Sequence, residues 1–342
     1  MSSGRPIGRY SKGHDSGHLK GQRMIDSDEF AARTAPYRRE LLAHCYRMLG
    51  SVDDAEDLVQ ETMLRAWRGY GDFEGRASMR TWLYRIATNA CLNALEHSSR
   101  RVLPTGLSGP TGDPTQEVHF APEVPWLQPM PDVLFAPEAA DPAAIVAARD
   151  DMRLALIAAW QHLPPRQRAV LILRDVLHWK AAEVAELIGV SVAAVNSTLQ
   201  RARATLGELR PDTPVAEPAD PEIRALLDRY AAAFEAADMD TLITLLRSDA
   251  VWEMPPIAEW FRGNTAVVGL IRSKCPYVAG EARMVPIAAN GQPGFAFYLR
   301  GHAQSLQILT VTATEITHVV SYHDSALFAA FGLPTSLDPV RS

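Results

Sequence analysis

Residues 163–206 read LPPRQRAVLILRDVLHWKAAEVAELIGVSVAAVNSTLQRARATL, and the second half of this stretch separates into two helices around a tight turn. The first, Ala181 to Ile188, carries Val184, Leu187 and Ile188 on one face, and Gly189 breaks it as a glycine does just past a helix C-terminus. Ser191 is placed to cap the next helix, in which Val192, Val195, Leu199, Ala202 and Leu206 recur at three- and four-residue steps and predict one core-facing stripe. Ala194, Asn196, Ser197, Gln200, Arg201 and Arg203 fall on the opposite face. That is a helix-turn-helix layout, in which the second helix lies in the DNA major groove with its N-terminal residues toward the bases. Periodicity alone also fits an ordinary helical hairpin, so the flanking sequence has to decide.

It does so on both sides. Leu163-Pro164-Pro165-Arg166-Gln167-Arg168, then Leu173-Arg174-Asp175, Glu183-Val184-Ala185, Gly189, Ser191 and Gln200-Arg201-Ala202-Arg203 occur in the order that resembles region 4 of bacterial RNA polymerase sigma factors. The resemblance implies that this module reads the −35 promoter element through Ser191, Ala194, Asn196, Ser197, Gln200, Arg201 and Arg203, and that it meets the β flap of core polymerase. It departs from the pattern at Lys180, where a small hydroxyl residue is common, and at Asn196 and Thr198, where a basic one is.

The totals permit several domains: 342 residues, 47% apolar and 22% charged, with a net charge of −6. No overall basicity marks a nucleic-acid binder, so any DNA contact must come from local patches. Cys45, Cys91 and Cys275 lie far apart without metal spacing, and neither a metal nor another cofactor is expected. No run reaches the ~18 apolar residues of a membrane span, and the chain is expected in the cytoplasm.

Upstream, residues 1–23 read as a disordered tail and residues 24–101 as a helical domain. Tyr37, Leu41, Leu42, Cys45, Met48 and Leu49 form one stripe ended by Gly50. In DDAEDLVQETMLRAW (Asp53–Trp67), Leu58, Val59, Met63, Leu64 and Trp67 are expected inward and Asp57, Gln60 and Glu61 outward. A glycine-rich break precedes MRTWLYRIATNACLNALEHSSRR, whose Arg80, Arg85, Asn89, Asn93 and Arg100 share a face. These two strings resemble regions 2.2 and 2.3–2.4 of the extracytoplasmic-function sigma factors. By that resemblance Asp57, Gln60 and Glu61 bind the clamp helices of the polymerase β′ subunit. Arg76, Ser78, Met79, Arg80, Trp82, Arg85, Asn89 and Asn93 hold the −10 element, with aromatic and amide groups for an unstacked base and arginines for phosphates. A solvated acidic face and a core tryptophan are the plainer readings of the first set and of Trp82.

Nine prolines over 102–143 with six acidic residues and no lysine or arginine after Arg101 indicate an extended linker. Its Trp126-Leu127 is costly to leave in water and is expected to dock on the C-terminal domain or on polymerase. Region 4 then occupies 144–210, opening with an amphipathic helix over 144–162, and a second proline-marked linker covers 211–221.

Residues 222–333, followed by a tail over 334–342, change character: helices over Glu222–Ala236 and Met239–Leu246, then strands at Ala250–Met254, Ala282–Ala289, Gly294–Arg300, Ser305–Thr314 and Ile316–Tyr322, with a helix over Ala266–Lys274. The expected architecture is multidomain, two all-α domains plus an α+β cone with a curved antiparallel sheet and a ligand pocket of Trp252, Met254, Trp260, Phe295 and Phe297. The strings Asp249–Pro256 and Asn290–Phe295 resemble the SnoaL-like domain appended to some extracytoplasmic-function sigma factors. Cyclases among such domains use a carboxylate or histidine base, for which Asp249, Glu253, His302, His318 and His323 are the candidates here. The expectation is an alternative sigma factor, not an enzyme, whose fused domain regulates it through a small ligand or an intramolecular contact. A SnoaL-like ligand-binding or cyclase-type enzyme on a DNA-binding module is the alternative. A plain repressor would have no use for a polymerase-docking helix.

Overall fold

The computed structural model describes residues 27–73, 75, 77–135, 149–207 and 220–337. Arg76, the tail 1–23, part of each linker and residues 338–342 lie outside the described residues.

Four helices build the first module: α1 (Ser27–Thr34), α2 (Arg38–Leu49), α3 (Val52–Gly69) and α4 (Met79–Glu96). Gly50 stops α2 in the left-handed conformation at φ 72°, its N–H donating to the Tyr46 carbonyl. The Ser51 and Ser78 hydroxyls cap α3 and α4, each accepting from a backbone N–H at 3.1 Å. Helix α2 is buried from Leu41 through Leu49, and not along the single stripe its sequence suggests, because other elements cover every side of it. His44 is among the buried residues, hydrogen-bonded to Thr88 at 2.9 Å, and burial pushes its pKa down to about 3, so it stays neutral. Cys45 and Cys91 are buried free thiols.

The second module comprises α5 (Leu154–Gln161), α6 (Pro165–Leu171) widening into a π-turn over Ile172–Val176, α7 (Ala181–Ile188) and α8 (Val192–Gly207). The continuous helix expected over 144–162 is broken: within the described residues 149–162 a turn at 151–153 precedes Leu154–Gln161, with Arg153 extended at ψ 134°. Arg168 joins this module to the first. Its guanidinium is buried and donates to the Met48 carbonyl of α2, to the Gln161 amide oxygen at 2.7 Å and to the Leu163 carbonyl at 3.2 Å. Lys180 supplies no hydroxyl to cap α7, but the Glu183 carboxylate accepts from the Lys180 N–H at 2.7 Å and keeps half of a capping box.

The third module opens with α9 (Pro221–Glu235) and α10 (Met239–Leu245). Six strands follow, interrupted by α11 (Asn264–Lys274) and ended by α12 (Leu327–Ala330): β1 (Leu246–Glu253), β2 (Trp260–Arg262), β3 (Ala282–Ala289), β4 (Gln292–Leu299), β5 (His302–Val311) and β6 (Ile316–Tyr322). The sheet order is β2-β1-β6-β5-β4-β3. It is mixed and not wholly antiparallel as expected, because β1 and β6 pair in parallel while every other pair is antiparallel. One face, with Trp252, Met284, Phe295, Phe297, Leu309 and Val319, closes over α9–α11 as the interior of an α+β cone. The other face carries Ala296, Tyr298, Leu306, Ile308, Val320 and Tyr322 into one continuous apolar core with both helical modules. Strand β4 is therefore buried on both faces, which explains its unbroken apolar run.

The linker over 102–135 has no α-helix, only short 3-10 turns at Pro104–Gly106 and Asp132–Leu134, and it is not loose. It runs along the cone, with the Trp260 indole donating to the Ser108 carbonyl at 2.8 Å, Thr111 N–H donating to the Trp260 carbonyl at 2.7 Å and Ala121 N–H to the Pro256 carbonyl at 2.8 Å. Trp126, 9% exposed, donates to the Ala121 carbonyl at 2.8 Å, and Leu127 packs against Gly50, where a Cβ would stand 2.7 Å from it.

The β3–β4 hairpin turns at Asn290-Gly291, with φ of 55° and 68°, the backbone that favours these two residues. This tip is inserted between the modules. The Asn290 carboxamide donates to Tyr46 Oη at 2.8 Å and to the Met152 carbonyl at 2.7 Å, and its oxygen accepts from Met130 N–H at 2.8 Å. Gly291 N–H donates to the Asp132 carboxylate at 2.8 Å, and a Cβ at Gly291 would lie 2.6 Å from Arg149 Cβ. The Gln292 amide oxygen accepts from Leu154 N–H at 3.0 Å. Asn290→Ala removes these bonds and strains the turn, and is expected to cost about 3 kcal/mol in urea denaturation, because buried partners are left unpaired. Asn290→Gly relieves the backbone alone and should recover only a minor part of that loss.

Candidate nucleic-acid and polymerase interfaces

On α8 the Ser191 hydroxyl accepts from Ala194 N–H at 3.1 Å and fixes the start of the helix. Val195, Leu199 and Ala202 face the core, while Asn196, Ser197, Gln200, Arg201 and Arg203 are exposed and Ala194 is half-exposed. Val192, on the first turn of α8, departs from the expected stripe: it is 44% exposed. The two arginines are not free. Arg203 makes a bidentate pair with Asp175 at 2.7 and 2.9 Å, and Arg201 donates to the Thr198 hydroxyl at 3.2 Å.

On α4, Trp82 stacks on Phe73 with ring centroids 4.7 Å apart, and Arg85 and Asn89 stand exposed on the same side. Together with Gly75 and Ala77 of the preceding loop they line a surface cleft of about 680 Å³. Glu186 of α7 lines the same cleft, so the second module overhangs it. Asn93 is exposed one turn beyond Asn89, Ser78 caps the helix, and Met79 is half-buried. Arg80 points elsewhere: it pairs with Glu40 at 2.8 Å and lies over the rings of Tyr84 and Trp179.

On α3, Asp57 and Gln60 are exposed and Glu61 is half-exposed, paired with Arg65 at 2.6 Å. Leu64, expected inward, is 56% exposed on the turn after them. Val59 and Thr62 already fill the core contact, and residues 57, 60, 61 and 64 share a helix face. The sequence pattern, which sorts residues by polarity, could not find Leu64.

Of the five pocket residues, Trp252, Met254, Phe295 and Phe297 share the interior of the cone, where Phe234 stacks on Trp252. Trp260 is held apart beneath the linker. The candidate bases are scattered. Asp249 is exposed and paired with Arg247, and His302 is exposed. His323 contacts Ser321 at 3.2 Å, and burial pushes its pKa down to about 4. Glu253 and His318 do pair, at 2.7 Å, but residues 252 and 319 face the interior, so this pair stands on the outer side of the sheet.

There the Glu253 carboxylate accepts from Thr105 N–H of the linker at 2.7 Å. Glu259 repeats the arrangement, accepting from His119 N–H at 2.8 Å while its other oxygen meets the His119 ring at 2.5 Å. Two carboxylates of the cone thus hold two linker amides, each beside a histidine. Among the described residues no group of three or more His, Cys, Asp or Glu could hold a metal ion, and no single helix is long and apolar enough to cross a membrane.

These features define a chain with a helix-turn-helix module, a second helical module with an aromatic cleft, and an α+β cone bound to both. Residues 35–101 match the family model of Sigma-70 region 2 and residues 153–206 that of Sigma-70 region 4. The chain is 55% identical over 316 residues to the ECF RNA polymerase sigma factor SigG of Mycobacterium tuberculosis, covering 90% of this chain and 85% of that one. It is 31% identical over 268 residues to SigJ of the same organism, covering 75% and 77%. The crystal structure of Mycobacterium tuberculosis SigJ superposes with a TM-score of 0.58 at 27% identity, covering 90% of this chain and 100% of that one. The chain belongs to the extracytoplasmic-function sigma-70 family, with two helical sigma domains and a C-terminal SnoaL-like cone. It is an alternative sigma factor that binds core RNA polymerase and promoter DNA and directs transcription initiation.

The hydrogen bond to Glu259 raises the pKa of His119 above the ordinary histidine value. A raised folded-state value means that this contact is fully present below the ordinary histidine pKa and is lost as pH rises through the raised one. An NMR titration should show His119 titrating high, and Glu259→Gln should return it toward 6.5.

Proposed function

We propose that α3 docks core polymerase on the β′ clamp helices through Asp57, Gln60 and Glu61, with Leu64 as the apolar centre of the contact. The single observation that carries this is Leu64, a large apolar side chain 56% exposed within a charged face. Substituting the four by alanine should abolish co-purification with core while leaving −35 duplex binding by the same chain intact. Retained core binding contradicts the assignment.

The cleft of Trp82, Arg85 and Asn89 takes an unstacked base of the −10 element, α8 enters the major groove of the −35 element, and the apolar groove of Leu156, Trp160, Val176 and Leu206 faces the β flap. The work takes place where polymerase does, in the cytoplasm. Arg203 must exchange Asp175 for a phosphate to contribute. Asp175→Ala should therefore tighten −35 binding, whereas Arg201→Ala and Arg203→Ala should each flatten the salt dependence by about one unit.

The cone regulates the sigma module within the same chain. What supports this is the Asn290 tip, which bonds to region 2, the linker and region 4 at once, in an arrangement that leaves Glu186 over the −10 cleft. We read the arrangement as the closed state, opened when polymerase separates regions 2 and 4. Trp126 shares a cavity wall with Pro255, Pro256 and Tyr322 of the cone. Truncation at residue 211 and Trp126→Ala should therefore change run-off transcription in the same direction without adding, because both release the linker from the cone.

A further inference from the structure

Because α8 is read as the −35 helix, the chemistry of its first two turns bears on which bases it can distinguish. The Ser191 hydroxyl is used as the cap, accepting from Ala194 N–H at 3.1 Å, and the Ser197 hydroxyl donates to the Ala194 carbonyl at 3.1 Å. Arg203 is held by Asp175 and Arg201 by Thr198. The exposed side chains of its first three turns that no described residue engages are Val192, Ala193, Asn196 and Gln200, and of the two apolar ones Val192 is the longer and stands on the side of Asn196. None is a guanidinium or an ammonium, the groups that read guanine O6 and N7. Asn and Gln match adenine N6 and N7, and an apolar side chain matches the thymine 5-methyl group. Val192 is the first residue of α8 and Asn196 stands one turn on, on the same side of the helix. The exposure of Val192 is otherwise unexplained, because the helix has a filled core stripe at Val195, Leu199 and Ala202.

We propose that Val192 and Asn196 together read an A·T-containing step of the −35 element, Val192 by packing on a thymine methyl group and Asn196 by a bidentate contact to adenine. This makes Val192 a specificity-determining residue and gives the first two turns no guanine reader.

The test uses the chain with core polymerase on a promoter duplex recovered from a randomised library by that holoenzyme. Each −35 thymine is replaced in turn by deoxyuracil, which lacks only the methyl group, and each −35 adenine by 7-deazaadenine, which lacks N7. At one thymine the substitution should weaken binding about fourfold, the worth of one buried methyl group. Val192→Ala should bind every deoxyuracil duplex as well as its parent, and Asn196→Ala should lose the 7-deazaadenine effect at a neighbouring position. No deoxyuracil effect at any position in the unsubstituted protein, or the same effect in Val192→Ala, overturns the proposal and leaves the −35 reading standing. Absence of any −35 footprint overturns that reading, and this proposal with it.

Discussion

One buried carboxamide, that of Asn290, ties the modules of the molecule to one another. It satisfies Tyr46 of region 2, Met130 of the linker and Met152 beside region 4, each within 2.8 Å. Tyr46 in turn donates to the Gln128 carbonyl at 2.7 Å, so the network also fixes where the linker returns to region 2. A buried polar network of this kind stabilises only when every member is paired, and partial loss exposes the whole desolvation cost. The apolar core shared by both helical domains and the outer face of the sheet has no orientation of its own. The hairpin tip supplies it.

The network accounts for the linker as well. A proline-rich acidic segment should stay solvated, yet this one lies along the cone because Glu253 and Glu259 offer acceptors to Thr105 and His119 at positions where the backbone would otherwise face water. Glu253 and His318 have the composition of a catalytic pair, but they occupy the outer face of the sheet, beneath the linker, and serve as a clasp.

Much of this fold was legible in the sequence. Gly50 and Gly189 marked helix ends that proved to be left-handed caps, and the apolar steps of α8 placed its buried face at Val195, Leu199 and Ala202. On α3, by contrast, only Val59 of the expected inward residues is buried, with the small residues Ala55, Thr62 and Ala66 making the rest of the contact. Alternation gave β3 and β6 to the residue, whereas β2, three residues long, carried too little pattern to be seen. The misplaced side chains are instructive. Leu64 and Val192 are apolar, and a polarity pattern assigns every apolar residue to the core, although an interface needs some outside it. Asp175 was visible as a motif residue, but its pairing with Arg203 spans 28 positions and follows only from the packed geometry. Asn290-Gly291 was legible only as part of the string Asn290–Phe295, and nothing local said that three other segments would close over it.

The closed arrangement has a geometric consequence. Regions 2 and 4 are in direct contact, with Tyr84 and Trp179 ring centroids 5.3 Å apart. Elements centred near −10 and −35 are separated by about 80 Å of duplex at 3.4 Å per base pair, so one compact body cannot contact both. The most direct measurement is the distance between spin labels at cysteines replacing the exposed residues Glu96 of α4 and Ala204 of α8, in a Cys275→Ser background, for the free chain and for the promoter-bound holoenzyme. The account predicts one short distance in the free chain, lengthening by tens of ångströms with polymerase and promoter, and already broad and long in Asn290→Ala. An identical distance in the free and promoter-bound states would contradict it.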